Sequence, residues 1–451
     1  MTRKPTDLGD TTVPPRARLT RRRALGAAAL LGAGAALALR PADRGAPHAP
    51  YFQRLAAALD AAGIAHPTLV VDRPRFHANL AAIRARVPAV LPLRVVVKSL
   101  PALALVEAAT DAWGTQRLML FNGPQLVQVA AARPGATVLL GKPLPVREAR
   151  VVLDAIDALP PGGAGAPRFD PSPQVEWLVD TPARAAQYRA LARGRGRPMR
   201  LNVEIDVGLH RGGLTHPAAL AELLAVVREE PLLQWSGFMG YDAHVAGIPD
   251  VPGLRAHALR EVHARFDAMV AAASAALGRP VDRAALTFNS GGSHTLHLHD
   301  GTRAPNEVSV GSASVLPSDF DNPALPQLQP ASFIATPVLK VMGDFRLPVG
   351  VELLGRAAAA WDRNQATGFA VHGGNWLADV VSPTGVAPSG LFGPSSNQQV
   401  MAGSRAAGIA PDGWVFWRPR QSESVFLQFG DIAVLDGGRI DARWPVFPAS
   451  A

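Results

Sequence analysis

Eight short apolar runs, separated by stretches with apolar residues at helical spacing, set the strongest constraint on what this chain can fold into. The runs are Arg94–Val97, Leu118–Phe121, Thr137–Leu140, Val175–Val179, Arg200–Ile205, Trp235–Gly240, Ala285–Phe288 and Val308–Ser312. Between most of them lie segments such as Pro101–Ala112, Ala183–Ala192, Pro217–Arg228 and Val262–Leu277, which read as helices. Parallel strands need crossovers of about this length, and eight strand–helix units in succession are the pattern of a closed (β/α)8 barrel. A doubly wound open sheet is the competitor, but no Gly-x-Gly-x-x-Gly turn follows the first strand. Past Pro323 the helical period fades and Gly, Pro and β-rich runs such as Ser424–Phe429 and Asp431–Leu435 take over. The expected architecture is therefore an α/β barrel over residues 67–322 followed by a mostly β domain over 323–451, with the strand near 68–72 a candidate to join the two. Pro160–Pro173, rich in Pro and Gly, reads as a surface loop.

Charge would suggest nucleic acid if its distribution were ignored. The net charge is +9, but residues 1–45 hold nine Lys/Arg against three Asp, so the remainder carries only +3. No nucleic-acid partner is expected. The leader instead has the form of an export signal. Thr20-Arg21-Arg22-Arg23-Ala24-Leu25 resembles a twin-arginine motif, followed by an uncharged run of 16 residues from Ala24 to Leu39. Such a run is short for a spanning helix and suits a signal segment, with Ala36-Leu37-Ala38 as a small-x-small cleavage site. Ala24 departs from the Phe that the motif prefers. Periplasmic residence is expected, with an uncleaved anchor as the alternative and no membrane contact beyond this segment. The chain has no cysteine, which removes disulfides, thiolate metal sites and cysteine nucleophiles.

Lysine is scarce: Lys4, Lys98, Lys142 and Lys340 are the whole set. Lys98 follows the first barrel strand, where such barrels carry their active sites, and an amine in a closed mouth suits Schiff-base chemistry. A snorkelling rim lysine is the plainer reading of Lys98 alone. Its neighbours shift the balance. Pro67–Asp72 and Phe76–Leu80 precede it; Val203–Gly213, Gly237–His244, Asn289–Ser293 and Glu307–Ser312 follow in order at strand ends. In these residues the chain resembles the D-threonine aldolase and D-serine dehydratase family, fold-type III pyridoxal phosphate enzymes related to alanine racemase. The resemblance implies a pyridoxal 5'-phosphate cofactor, a small amino-acid substrate and a homodimer.

It also implies roles. Lys98 would form the Schiff base, and Gly291, Gly292 and Ser293 would cup the phosphate with a helix start behind them. Gly311 and Ser312 would close the cup from the next strand. Arg211 would sit near the cofactor oxygen or the substrate carboxylate, and Tyr241 beside the pyridine ring. His244, in Tyr-Asp-Ala-His, is a candidate base. His294, His297 and His299 invite a metal reading, but no single regular element presents all three.

Two features depart from the resembled family. Its metal ligands are a His-x-Cys or His-x-Asp pair nine and eleven residues beyond the Gly of a Gly-Asp. Counting from Gly430-Asp431 gives Arg439 and Asp441, and the last histidine of the chain is His372. No metal ligand pair is expected there, and Arg439 becomes a candidate source of catalytic positive charge. Racemases of the related family use a tyrosine from the C-terminal domain, whereas no tyrosine follows Tyr241; His244 or His372 would have to serve instead. The leading expectation is an exported lyase of aldolase or dehydratase type acting on a β-hydroxy D-amino acid. A racemase and a catalytically degenerate cofactor- or amino-acid-binding protein are the alternatives.

Replacing Arg21 and Arg22 together by Lys should leave precursor in the cytoplasm; fractionation followed by immunoblotting checks it, and unchanged export would make the arginine pair incidental.

Overall fold

The computed structural model describes residues 40–160, 167–249 and 251–448. The twin-arginine stretch and its apolar run therefore lie outside the described residues, as does the centre of the Pro/Gly-rich loop. Among the described residues no helix is long and apolar enough to cross a membrane.

Eight parallel strands close on themselves as expected. They are β2 (Leu93–Val96), β3 (Arg117–Leu120), β4 (Thr137–Leu140), β5 (Val175–Val179), β6 (Met199–Glu204), β7 (Leu233–Met239), β8 (Thr287–Ser290) and β9 (Glu307–Val310). Closure is made by β2 against β9, with Leu93 opposite Val308. Helices such as Leu103–Trp113, Val146–Asp157 and Leu254–Leu277 make the crossovers. Several have clear start signals: Asn122 and Thr181 accept the backbone N–H three residues on, and Pro follows within the first turn.

The preceding strand β1 (Thr68–Asp72) belongs to the other sheet. It runs antiparallel to β10 (Ser332–Asp344) and parallel to β16 (Asp431–Asp436), and all five of its residues are buried. That sheet continues through β11 (Thr367–His372), β12 (Ala378–Ser382), β13 (Val386–Pro388), β14 (Gln398–Gly403), β15 (Trp414–Pro419) and β17 (Arg439–Pro445). The chain thus enters through the β sheet, builds the barrel and returns to the same sheet. One expectation here was wrong. Ser424–Phe429 is no strand: Glu423–Phe426 forms a helical turn, pinned by the Phe426 N–H on the Ser422 carbonyl.

The barrel interior holds a polar layer. Arg94, 1% exposed, donates to both oxygens of Glu307 at 2.6 and 3.0 Å and to the Leu118 carbonyl. Arg117 and Asn289 also donate to Glu307. Burial alone would raise the Glu307 carboxyl, but the Arg94 charge and hydrogen bonds, with Arg117, hold it below the ordinary range. Removing one partner of a buried pair leaves an uncompensated charge, which costs about 3–5 kcal/mol. Arg94→Met is therefore expected to lower the unfolding free energy by about that much, and a Glu307→Gln change added to it should restore part of the loss in denaturant melts.

Candidate active site

Side chains on a strand alternate between the two faces, so the inward phase of β2 runs Arg94, Val96 and, continuing into the turn Val97–Ser99, Lys98. Val95 and Val97 take the opposite phase and are fully buried in the apolar core. The same alternation brings Met119 and Phe121, Met239 and Tyr241, Asn289 and Gly291, and Ser309 and Gly311 to the mouth of the barrel. All of these line one cavity of about 390 Å³, at the C-terminal ends of the strands.

Lys98 stands in this cavity with its side chain 44% exposed. Its Nζ lies 4.8 Å from the centroid of the Phe121 ring and 3.8 Å from Oε1 of Glu423. Gly291, Gly292, Ser293, Gly311 and Ser312 line the same space. Two of the glycines are required by close approach. A Cβ on Gly292 would lie 2.9 Å from the Tyr241 ring, and one on Gly311 would lie 2.7 Å from Cβ of Ser99. The expected helix start behind Gly291–Ser293 is absent; a single short turn, Leu296–Leu298, follows instead. Any anion there would meet backbone N–H groups and hydroxyls without a helix dipole. Ser293 Oγ accepts from the Ala313 N–H at 2.9 Å, tying the two loops together.

Arg211 also lines the cavity, its Cζ 5.0 Å from the centroid of Tyr241. Burial and the neighbouring Asp242 charge push the Tyr241 phenol up, so it stays protonated at neutral pH. Behind it, Asp242 is fully buried and accepts from Thr295 Oγ1 at 2.7 Å and pairs with His299 Nε2 at 2.8 Å.

The histidines singled out in the sequence and Arg439 lie outside this lining. His244 does not line the cavity; its Nε2 lies against Gly208, where a Cβ would meet it at 3.0 Å. The histidine trio is split, because His299 pairs with Asp242 and His294 stacks on Phe320 at 4.8 Å. Among the described residues no group of three His, Cys, Asp or Glu could hold a metal ion. Arg439 is the clearest correction. Its side chain is 80% exposed on β17, beside Asp441, which also accepts from Arg73 at 3.1 Å. β16 carries the chain away for six residues, about 20 Å at strand rise, before Gly437-Gly438 turns it back. Counting forward from Gly430 therefore lands on the far end of a hairpin.

The residues that the C-terminal domain does bring to the cavity are Gln421 and Glu423, in the connection from β15 to β16. They precede Gly430-Asp431 rather than following it. Glu423 Oε1 accepts from Ser99 Oγ at 3.0 Å, and Ser312 Oγ lies 2.9 Å from Ser99 Oγ. Only the three-dimensional meeting of this loop with the barrel mouth reveals them; an acidic residue just before the Ser424–Phe429 run gave no signal.

The family model described as alanine racemase, N-terminal domain, matches residues 71–318, more than half of the chain. No curated protein matches it in sequence. Among solved structures, D-threonine aldolase from Filomicrobium marinum is similar with a TM-score of 0.65 at 16% identity, over 85% of this chain and 97% of that one. D-threo-3-hydroxyaspartate dehydratase from Delftia sp. HT23 gives 0.60 at 19% identity, covering 85% and 98%. Alanine racemase from Bacillus anthracis gives 0.62 at 15%, covering 84% and 98%. At these identities the likeness is one of fold.

The Asp242–His299 pair yields a test. Burial alone would raise the Asp242 carboxyl, but the His299 hydrogen bond and charge, with Thr295, hold it below the ordinary 3.8. A carboxyl depressed by folding contributes stability that is complete above its unfolded value and lost as pH falls toward its folded one. Asp242→Asn should lower stability at pH 7 by about 3 kcal/mol, and urea melts should show the gap to wild type closing below pH 3.8.

Proposed function

The chain belongs to the alanine racemase N-terminal domain family, and on that premise we propose that it is an exported pyridoxal-phosphate-dependent lyase acting on D-amino acids that carry a β-hydroxyl group. The observation that carries the reading is Lys98, a reachable primary amine in the same cavity as Gly291–Ser293 and Gly311–Ser312.

The residues present fit the cofactor. Lys98 would hold its aldehyde carbon, and the two Gly/Ser loops its phosphate, since Gly292 and Gly311 leave the backbone bare where a Cβ would collide. Arg211 and Tyr241 would flank the ring. When bound, pyridoxal phosphate withdraws electrons from the α-carbon of an attached amino acid. The protein's share is positioning and proton handling. Lys98 Nζ is the nitrogen placed to take or return the α-proton, braced by Phe121 and Glu423. The protonated Tyr241 phenol can donate a hydrogen bond, and Arg211 keeps a permanent charge against its ring. Phe320, Gln421 and Glu423 line the cavity beside these groups.

The lyase reading draws on two similar structures, an aldolase of D-threonine and a dehydratase of D-threo-3-hydroxyaspartate. The racemase alternative needs a second base, and neither His244 nor His372 lines the cavity. Export rests on the Thr20–Leu25 motif. A homodimer completes the proposal, supported by exposed apolar side chains at Leu339, Met342, Val349, Leu353, Leu391 and Phe392 that a second copy would cover.

Borohydride treatment of the cofactor-loaded protein should fix the label on Lys98, read by peptide mass spectrometry, and Lys98→Ala should lower turnover by at least about 10²-fold. Label on Lys142 or Lys340, or on none, would remove the basis of the proposal. A D- and L-amino-acid panel assayed for keto acid, aldehyde and inverted product separates lyase from racemase, and absence of all three marks a binding protein.

A further inference from the structure

Glu423 is the only Asp or Glu among the residues lining the cavity. Its Oε1 accepts from Ser99 Oγ at 3.0 Å, with Ser312 Oγ at 3.4 Å and Lys98 Nζ at 3.8 Å. Its Oε2 is shut off from water and has no hydrogen-bond partner among the described residues. A carboxylate offers about four acceptor sites, and leaving a buried acceptor empty costs about 1–3 kcal/mol, more when it is charged. The side chain as a whole is 24% exposed, so rotation of the carboxylate can present acceptor capacity to a ligand in the cavity. Gln421, two residues earlier, lines the same wall.

The residues that fit the cofactor all come from the barrel, whereas Glu423 comes from the C-terminal domain across the mouth. It is therefore placed to meet the substrate. Resting on the reading above, we propose that Glu423 is a specificity-determining residue: its carboxylate accepts a hydrogen bond from a donor on the substrate side chain and repels a side chain that is itself acidic. The preferred class is then amino acids with a hydroxyl or other donor on the β-carbon. Aspartate-like side chains are disfavoured because a second carboxylate would bring like charge beside Glu423, whose Oε2 has no donor of its own among the described residues.

The test uses the cofactor-loaded full chain and reads the initial change in the cofactor's visible absorbance as D-serine, D-alanine or D-aspartate is titrated in. Wild type should bind D-serine about tenfold more tightly than D-alanine, the value of one charged hydrogen bond, and D-aspartate more weakly than both. Glu423→Ala should erase the preference for serine over alanine. Glu423→Gln, which keeps the shape and an acceptor, should retain that preference while admitting D-aspartate about tenfold more tightly. The absorbance of each variant before titration reports an intact site. Unchanged ratios in both variants, or equal binding of D-aspartate and D-alanine by wild type, would overturn the role. Collapse of the serine preference on adding a chelator to wild type would also overturn it, because an ion would then make the contact. No visible band in wild type is a different failure, scored before substrate is added: it sinks the cofactor reading itself.

Discussion

A guanidinium enclosed in the barrel and bonded to both oxygens of Glu307 sets the phase of the strand that carries Lys98. Slipping β2 by one residue would carry Arg94 into the apolar layer between strands and helices, and Lys98 would leave the cavity with it. Glu307 also receives Arg117 and Asn289. One carboxylate thus binds β2, β3, β8 and β9, and the ends of those strands carry Lys98, Phe121, Gly291 and Gly311. The site is assembled on top of a buried charge network, so its geometry inherits the stiffness of that network.

A second buried acid works behind the opposite wall. Asp242 follows Tyr241 directly, but faces away from the cavity toward Thr295 and His299. It joins the end of β7 to the segment between β8 and β9. It also adds negative charge beside the phenol, which together with burial keeps Tyr241 protonated. Two adjacent residues thereby divide the labour: one presents a ring to the cavity, and the other anchors the loop.

The C-terminal sheet has a role beyond packing. Because β1 lies between β10 and β16, the two ends of the barrel segment are held by one sheet. That sheet then delivers Gln421 and Glu423 to the mouth. The barrel supplies Lys98, Arg211, Tyr241 and the Gly/Ser loops to the cavity, and the second domain supplies its one acid, Glu423. The fold likeness extends alike to an aldolase, a dehydratase and a racemase, so the fold by itself does not choose among their reactions.

Local sequence determined the barrel strands, because alternation and helical spacing are short-range properties that burial enforces residue by residue. The same period put Lys98 at a strand end, and a family resemblance pointed to Arg211, Tyr241 and the Gly/Ser loops, all of which line the one cavity at the barrel mouth. Tertiary structure decided everything that depends on distant segments meeting. It withdrew Arg439 by turning the β16–β17 hairpin away, and His244 by packing it on Gly208. It recast His299 as the partner of Asp242, 57 residues distant. It brought Glu423 to within 3.8 Å of Lys98 across 325 residues of chain. A period along the chain reports which face a side chain takes; which other face lies opposite is settled only when the sheets close.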